Sequence, residues 1–256
     1  MFGFTQGEFL LFLLILVRMT GLFILAPVFA HQSVPVQVKP WFAFACSLVA
    51  YPMLAGHGPA MPATVPALAA MIGRELLVGA CVGYLALLVF AAAQYAGELI
   101  DTQIGFGMAN LIDPSFGSNI TVLGQVHFLL ATMIYLAVDG HHLLIGAVVR
   151  SYSLIPFGQA ELGPELIRLI VERFSGMFVI AMRMALPAAA CLLIAEIALG
   201  VMARAVPQMN VLMVGFPLKI GVGLIVLGVV LPSTGAYFVG VLSKLAEVLS
   251  AALGAM

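Results

Sequence analysis

Apolar positions along the chain gather into long runs divided by short stretches rich in proline, glycine and polar residues. Phe9 to Ala30, Leu76 to Gly97, Phe174 to Ala203 and Val211 to Leu231 are each long enough to cross the hydrocarbon core of a bilayer, which takes about 20 helical residues. Trp41 to Leu54 and Val122 to Val138 are shorter, and fit tilted spans, re-entrant pieces or helices buried among neighbours. Helix is the state predicted for all of them, because in lipid each backbone polar group must be satisfied within its own segment, and the alternation of a β-barrel is missing. His31 to Pro40, Gly56 to Pro66, Glu98 to Thr121 and Asp139 to about Gly163 read as loops, none large enough for a separate soluble domain.

Two polar patterns refine this picture. From Pro164, suited to the first turn of a helix, Glu165, Arg168 and Glu172 lie at helical spacing beside Leu166, Ile167 and Ile170, an amphipathic lead-in to the next run. Near the end, Phe238, Leu242, Leu245, Leu249 and Leu253 recur at helical spacing while Ser243, Glu247 and Ser250 fall on another face. Pro187 and Pro217 sit inside apolar runs, where each removes a helix hydrogen bond and predicts a kink or break. The architecture expected is an all-α polytopic membrane protein, one domain over 1–256. It has about six hydrophobic helical segments, kinked or broken in places, and a C-terminal amphipathic helix.

Composition supports the membrane reading. Of 256 residues 63% are apolar, and 21 are Asp, Glu, Lys or Arg (10 + 11), where an ordinary soluble surface would call for about 64. A net charge of −1 gives the whole chain no character of a nucleic-acid binder. Cys46, Cys81 and Cys191 are far apart and each lies in an apolar run, as small buried hydrophobes do.

Candidate chemistry is sparse. Arg18, Arg183, Glu196 and Lys219 interrupt apolar runs, and a charge near a bilayer centre costs at least about 2.5–3.5 kcal/mol, so each needs a partner, a cavity or another subunit. Within one helix Arg183 and Glu196 would point about 140° apart and cannot pair. These four are structural ties between helices, or charges on a helix that does not lie at membrane depth, or participants in transport. The stretch Glu98 to Thr121 has no basic residue, and carries Gly105 and Gly107 beside Phe106, Met108, Leu111 and Ile112. Its glycines free the backbone while its apolar side chains supply bulk. It is either a loop packed on the surface or a mobile apolar stopper in a conduit.

Asp139-Gly140-His141-His142 holds metal-ligand residue types, but adjacent histidines point to different sides of a helix and no second cluster completes a site, so no metal is expected. No nucleotide-binding loop or nucleophile elbow occurs. Gly79-x-x-x-Gly83 is no more frequent than the glycine content produces by chance.

Several blocks, in order, carry a likeness. They are Arg18-x-x-Gly21 with Ala26-Pro27-Val28-Phe29, Pro35 and Lys39; Ala96-Gly97-Glu98-Leu99-Ile100 with Gln103 and Gly105; Asp113-Pro114; Asp139-Gly140-His141; Leu199-Gly200; Arg204-x-x-Pro207-Gln208; and Gly215-Phe216-Pro217-Leu218. Together they resemble the FliR family, the export-gate component of bacterial flagella, whose virulence-secretion counterparts are called SctT.

The resemblance implies a non-enzymatic subunit without cofactors, at the basal body in the bacterial inner membrane. It implies assembly with FliP and FliQ beside FlhB into a channel for unfolded export substrates. It further implies helices lying largely above the bilayer plane, with Arg18, Arg183, Glu196 and Lys219 buried at subunit contacts. The family's closing plug falls on Gly105, Phe106, Met108, Leu111 and Ile112. A secondary transporter using the intramembrane charges for a small solute or protons is the competing expectation.

Overall fold

The computed structural model describes residues 5–30, 34–56, 58–59, 61–106, 121–161, 163–205 and 211–256, and among them the regular structure is helical throughout. The helices are α1 (Gln6–Leu25), α2 (Pro27–Ala30), α3 (Val38–Leu54), α4 (Val65–Ile104), α5 (Val122–Ala137), α6 (Gly140–Leu154), α7 (Pro164–Ala205), α8 (Val211–Ser243) and α9 (Leu245–Gly254). Each of the six apolar runs is helical. Among the described residues four helical stretches are long and apolar enough to cross a membrane, or up to five if the bent pair α5 and α6 forms one span.

Local chemistry sets several boundaries. At the start of α1, the Thr5 hydroxyl accepts from the Glu8 N–H at 3.3 Å and the Glu8 carboxylate accepts from the Thr5 N–H at 2.8 Å. This capping box satisfies two donors that a helix start otherwise leaves orphaned. The first run is not one helix: Ala26, with ψ 128, separates α1 from α2, as the ring of a following proline disfavours the helical region. Pro187 and Pro217, by contrast, lie inside α7 and α8 without ending them. The break in the α5–α6 pair falls at Asp139, which adopts a left-handed backbone with φ 54.

Two predicted loops are helical over a full turn or more. Asp139 to Gly163 contains the fifteen-residue helix α6, which buries Gly140, Leu144, Val148, Ser151 and Tyr152 at three- and four-residue spacing. Two glycines, two histidines and two serines mask that stripe in the sequence. Glu98 to Thr121 begins inside α4, which continues to Ile104 and stops at Gly105, whose φ of 93 suits the residue after a helix end. The C-terminal stripe forms as expected: Phe238, Leu242, Leu245, Leu249 and Leu253 are buried, and Ser243, Glu247 and Ser250 are exposed. Of the cysteines, Cys81 is buried and Cys46 half-buried, whereas Cys191 is exposed, against its reading as a buried hydrophobe.

The described chain forms two compact units, Met1–Leu88 with Val138–Phe174 and Leu242–Met256, and Val89–Ala137 with Ser175–Val241. In the first, α1 and α4 run parallel through a seam without side chains. A Cβ on Gly79 would overlap the Arg18 carbonyl, one on Gly83 would lie 2.8 Å from the Leu22 oxygen, and one on Gly21 2.5 Å from the Leu76 oxygen. The Gly79-x-x-x-Gly83 spacing therefore is a helix contact, although its frequency alone did not mark it. Phe12, Phe23, Phe29, Phe42 and Phe44 join α1, α2 and α3 by ring contacts with centroids 4.7–6.3 Å apart. The second unit centres on Phe90, whose ring meets Phe128, Tyr135 and Phe238 at 5.3–5.9 Å, within the range of favourable edge-to-face pairs.

Candidate functional site

The charges of the apolar runs meet different fates. Arg18 on α1 is completely buried. Its Nε donates to Glu75 Oε2 at 2.7 Å and its Nη2 to Glu75 Oε1 at 3.1 Å, while Nη1 donates to Ser151 Oγ at 2.7 Å and Nη2 also to the Ile155 carbonyl at 3.3 Å. The guanidinium lies 4.1 Å from the Tyr152 ring centre and 5.8 Å from that of Phe157, a cation–π arrangement strengthened by exclusion of water. The fork geometry of arginine permits this two-point grip on a carboxylate. Arg18 thus finds its counter-ion inside its own chain.

Glu75 is the charged member of this cluster that sequence reading missed, along with Ser151, Tyr152 and Phe157. It stands beside Arg74 at what looks like the polar flank of the run from Leu76, but α4 starts at Val65 and carries Glu75 into the interior, fully buried. Glu75, Gly79 and Gly83 repeat every four residues on one face, so the seam that admits the α1 backbone also brings Glu75 to Arg18. Glu75 Oε1 accepts from the Gly158 N–H at 2.8 Å and Arg74 Nη1 donates to the Gly158 carbonyl at 2.7 Å. Both polar groups of that residue are therefore clasped. Gly158 has φ 73, and a Cβ there would meet Met71 Cγ at 2.7 Å.

In the second unit, the ends of the glycine-containing segment are held together. Asp101 is buried on the last turns of α4, and its Oδ1 accepts from the Leu123 N–H at 3.1 Å. Leu123 lies in the first turn of α5, where N–H groups lack intrahelical acceptors; Asp101 caps that helix from 22 residues away. The backbones approach closely here: a Cβ on Gly97 would overlap the Leu123 carbonyl, and one on Gly124 would come within 3.0 Å of Glu98 Cγ. Ile104, fully buried, sits against Gly223 of α8, where a Cβ would lie 2.6 Å from Ile104 Cδ1. Gly105 and Phe106 emerge from this stem, Phe106 half-buried. Met108, Leu111 and Ile112 lie outside the described residues.

Glu98 and Asp101, three residues apart, serve different partners: Glu98 accepts from Gln94 at 3.1 Å, whereas Asp101 serves α5. Arg183 and Glu196 on α7 are exposed, and Lys219 on α8 pairs with Glu196 at 3.4 Å, the two side chains 20% and 55% accessible. With the glutamate more than half accessible and the lysine partly so, solvent screening limits the pair to about 0–1 kcal/mol. The expected divergence of His141 and His142 does not occur, since their ring centroids are 4.1 Å apart. Both rings stand in the first turn of α6, where no preceding turn crowds them.

Residues 9–245 match the model of a family described as bacterial export proteins, family 1. The chain is similar to the flagellar biosynthetic protein FliR of Bacillus subtilis strain 168, 37% identical over 84% of either chain. It is similar to the protein of that name from Escherichia coli strain K12, 29% identical over 92% of this chain and 91% of the relative. The Yop proteins translocation protein T of Yersinia pestis is 26% identical over 84% of this chain and 83% of its own.

Proposed function

The chain belongs to the bacterial export proteins, family 1, as a membrane component of flagellar or type III protein export, and from that premise we propose that it is a non-enzymatic core subunit of the flagellar export gate. In this reading it resides in the bacterial inner membrane at the basal body. It assembles with FliP and FliQ, touches FlhB, and lines the passage of unfolded flagellar proteins. Gly105, Phe106, Met108, Leu111 and Ile112 act as its plug.

The observation that carries the plug assignment is the stem. Asp101 and Gly97 on one side and Leu123 and Gly124 on the other fix both ends of the segment, and Gly105 at φ 93 turns the chain off α4 directly into Phe106. An apolar stretch anchored at both roots is suited to closing a conduit and yielding to a substrate without dislodging its helices. Arg183 and Glu196, exposed within the apolar run of α7, and Lys219, partly exposed on α8, supply polar contacts to neighbouring subunits. A transporter reading draws less support, because Arg18 makes four hydrogen bonds inside its own chain and has no accessible surface.

Replacing Phe106, Met108 and Leu111 with glycine in the assembled FliP–FliQ complex is expected to raise small-solute leak across vesicles, with subunit recovery unchanged. Unaltered permeability in an intact assembly removes the plug role. Saturable solute uptake by the purified chain alone would replace the gate with the carrier.

A further inference from the structure

Asp139, His141 and His142 stand together at the entrance to α6. The left-handed backbone of Asp139 (φ 54, ψ 32) ends the preceding segment, and its carbonyl accepts from the His142 N–H at 3.0 Å and the Leu143 N–H at 3.3 Å. A non-glycine residue in this conformation is uncommon, and aspartate is among those that tolerate it. The turn brings Asp139 Oδ1 to 3.3 Å from His142 Nδ1. One ring nitrogen of each histidine and one carboxylate oxygen of Asp139 all lie within 4.8 Å of one another. His141 Nδ1 is shielded from solvent and has no hydrogen-bond partner among the described residues.

We propose that Asp139, His141 and His142 form a divalent transition-metal site of the zinc type. Two imidazoles and one carboxylate are a ligand set that zinc uses, with the fourth tetrahedral position left to water. Bonds of about 2.0–2.1 Å set ligand atoms about 3.4 Å apart along a tetrahedral edge, and the Asp139–His142 separation of 3.3 Å already meets that spacing. The longest separation, up to 4.8 Å, closes by rotation of side chains that are free to move: those of His142 and Asp139 are 72% and 73% accessible. All three residues lie within four consecutive positions of one compact unit, so binding demands no rearrangement of distant elements. Because the positive end of the α6 dipole opposes a cation, binding depends most on the Asp139 carboxylate.

The test uses the full chain without an affinity tag, in detergent micelles, with Cys191→Ser as background so that the exposed thiol does not compete. Cobalt(II) serves as the spectroscopic probe and zinc as competitor in calorimetry. One equivalent of zinc is expected, displacing a cobalt spectrum of tetrahedral intensity. Asp139→Asn and His142→Gln should each weaken binding by about tenfold or more, since loss of even an outer-shell partner has that effect, while elution and helix content stay unchanged. Absence of a cobalt spectrum, or binding that survives in the Asp139→Asn/His142→Gln double variant, overturns the site.

Discussion

Arg18 and Lys219 are both cations set into apolar helices, yet the first is sealed inside its unit with a carboxylate, a hydroxyl, a carbonyl and two rings, while the second reaches an exposed glutamate at 3.4 Å. The helices around them differ in the same sense. The most apolar stretch of α4 is 61% buried and that of α1 50%, whereas that of α7 is 33% buried. Leu186, Ile194, Ile197 and Val201 on α7 are each at least 59% exposed. One region encloses its charge and most of its apolar surface within its own chain; the other keeps its ion pair partly open and its apolar surface exposed. A charge within an apolar run therefore carries no single meaning, and what encloses it decides between internal strut and contact surface.

The largest effect expected from breaking this contrast lies at Glu75. Glu75→Ala leaves the Arg18 guanidinium buried without a counter-ion, a loss of about 3–5 kcal/mol, read as early unfolding of the purified chain in detergent. An Arg18→Met/Glu75→Leu double variant should recover most of that loss, because an apolar pair of similar volume removes the need for compensation. Recovery would identify the pair as structural; persistent instability of the double variant would show that Arg18 anchors Ser151 and Ile155 more than it pairs with Glu75. At the other extreme, Lys219→Ala should change the stability of the isolated chain by no more than about 1 kcal/mol, yet reduce recovery of FliP and FliQ with the tagged chain. Equal recovery would place Lys219 away from any subunit contact.

Much of this contrast was legible in the sequence, and the remainder was hidden for identifiable reasons. The helical class followed from run length, and the C-terminal stripe from Phe238 to Leu253 appears as its spacing required. Arg18 was recognisable as needing a partner, but Glu75 was not, since its neighbour Arg74 and the onset of the apolar run made it look like a solvated flank. α6 was concealed because Gly140, Gly146 and two serines dilute a stripe that tertiary packing completes. The seam through Gly21, Gly79 and Gly83 was invisible to counting, because a glycine contact depends on which backbone approaches it. The stem around Gly105 is hidden in the sequence for the same reason: Asp101 and Leu123 are 22 positions apart.

Cys191 lies on α7 in the exposed region, whereas Cys81 is buried and Cys46 half-buried, so the chain carries its own reporter of whether that region is covered. The decisive measurement is the rate of Cys191 alkylation by a small maleimide, compared between the purified chain and its complex with FliP and FliQ in the same detergent. The account predicts ready labelling of Cys191 in the isolated chain and strong protection in the complex. Equal labelling in both would contradict it, since the apolar face of α7 would then have no subunit to meet.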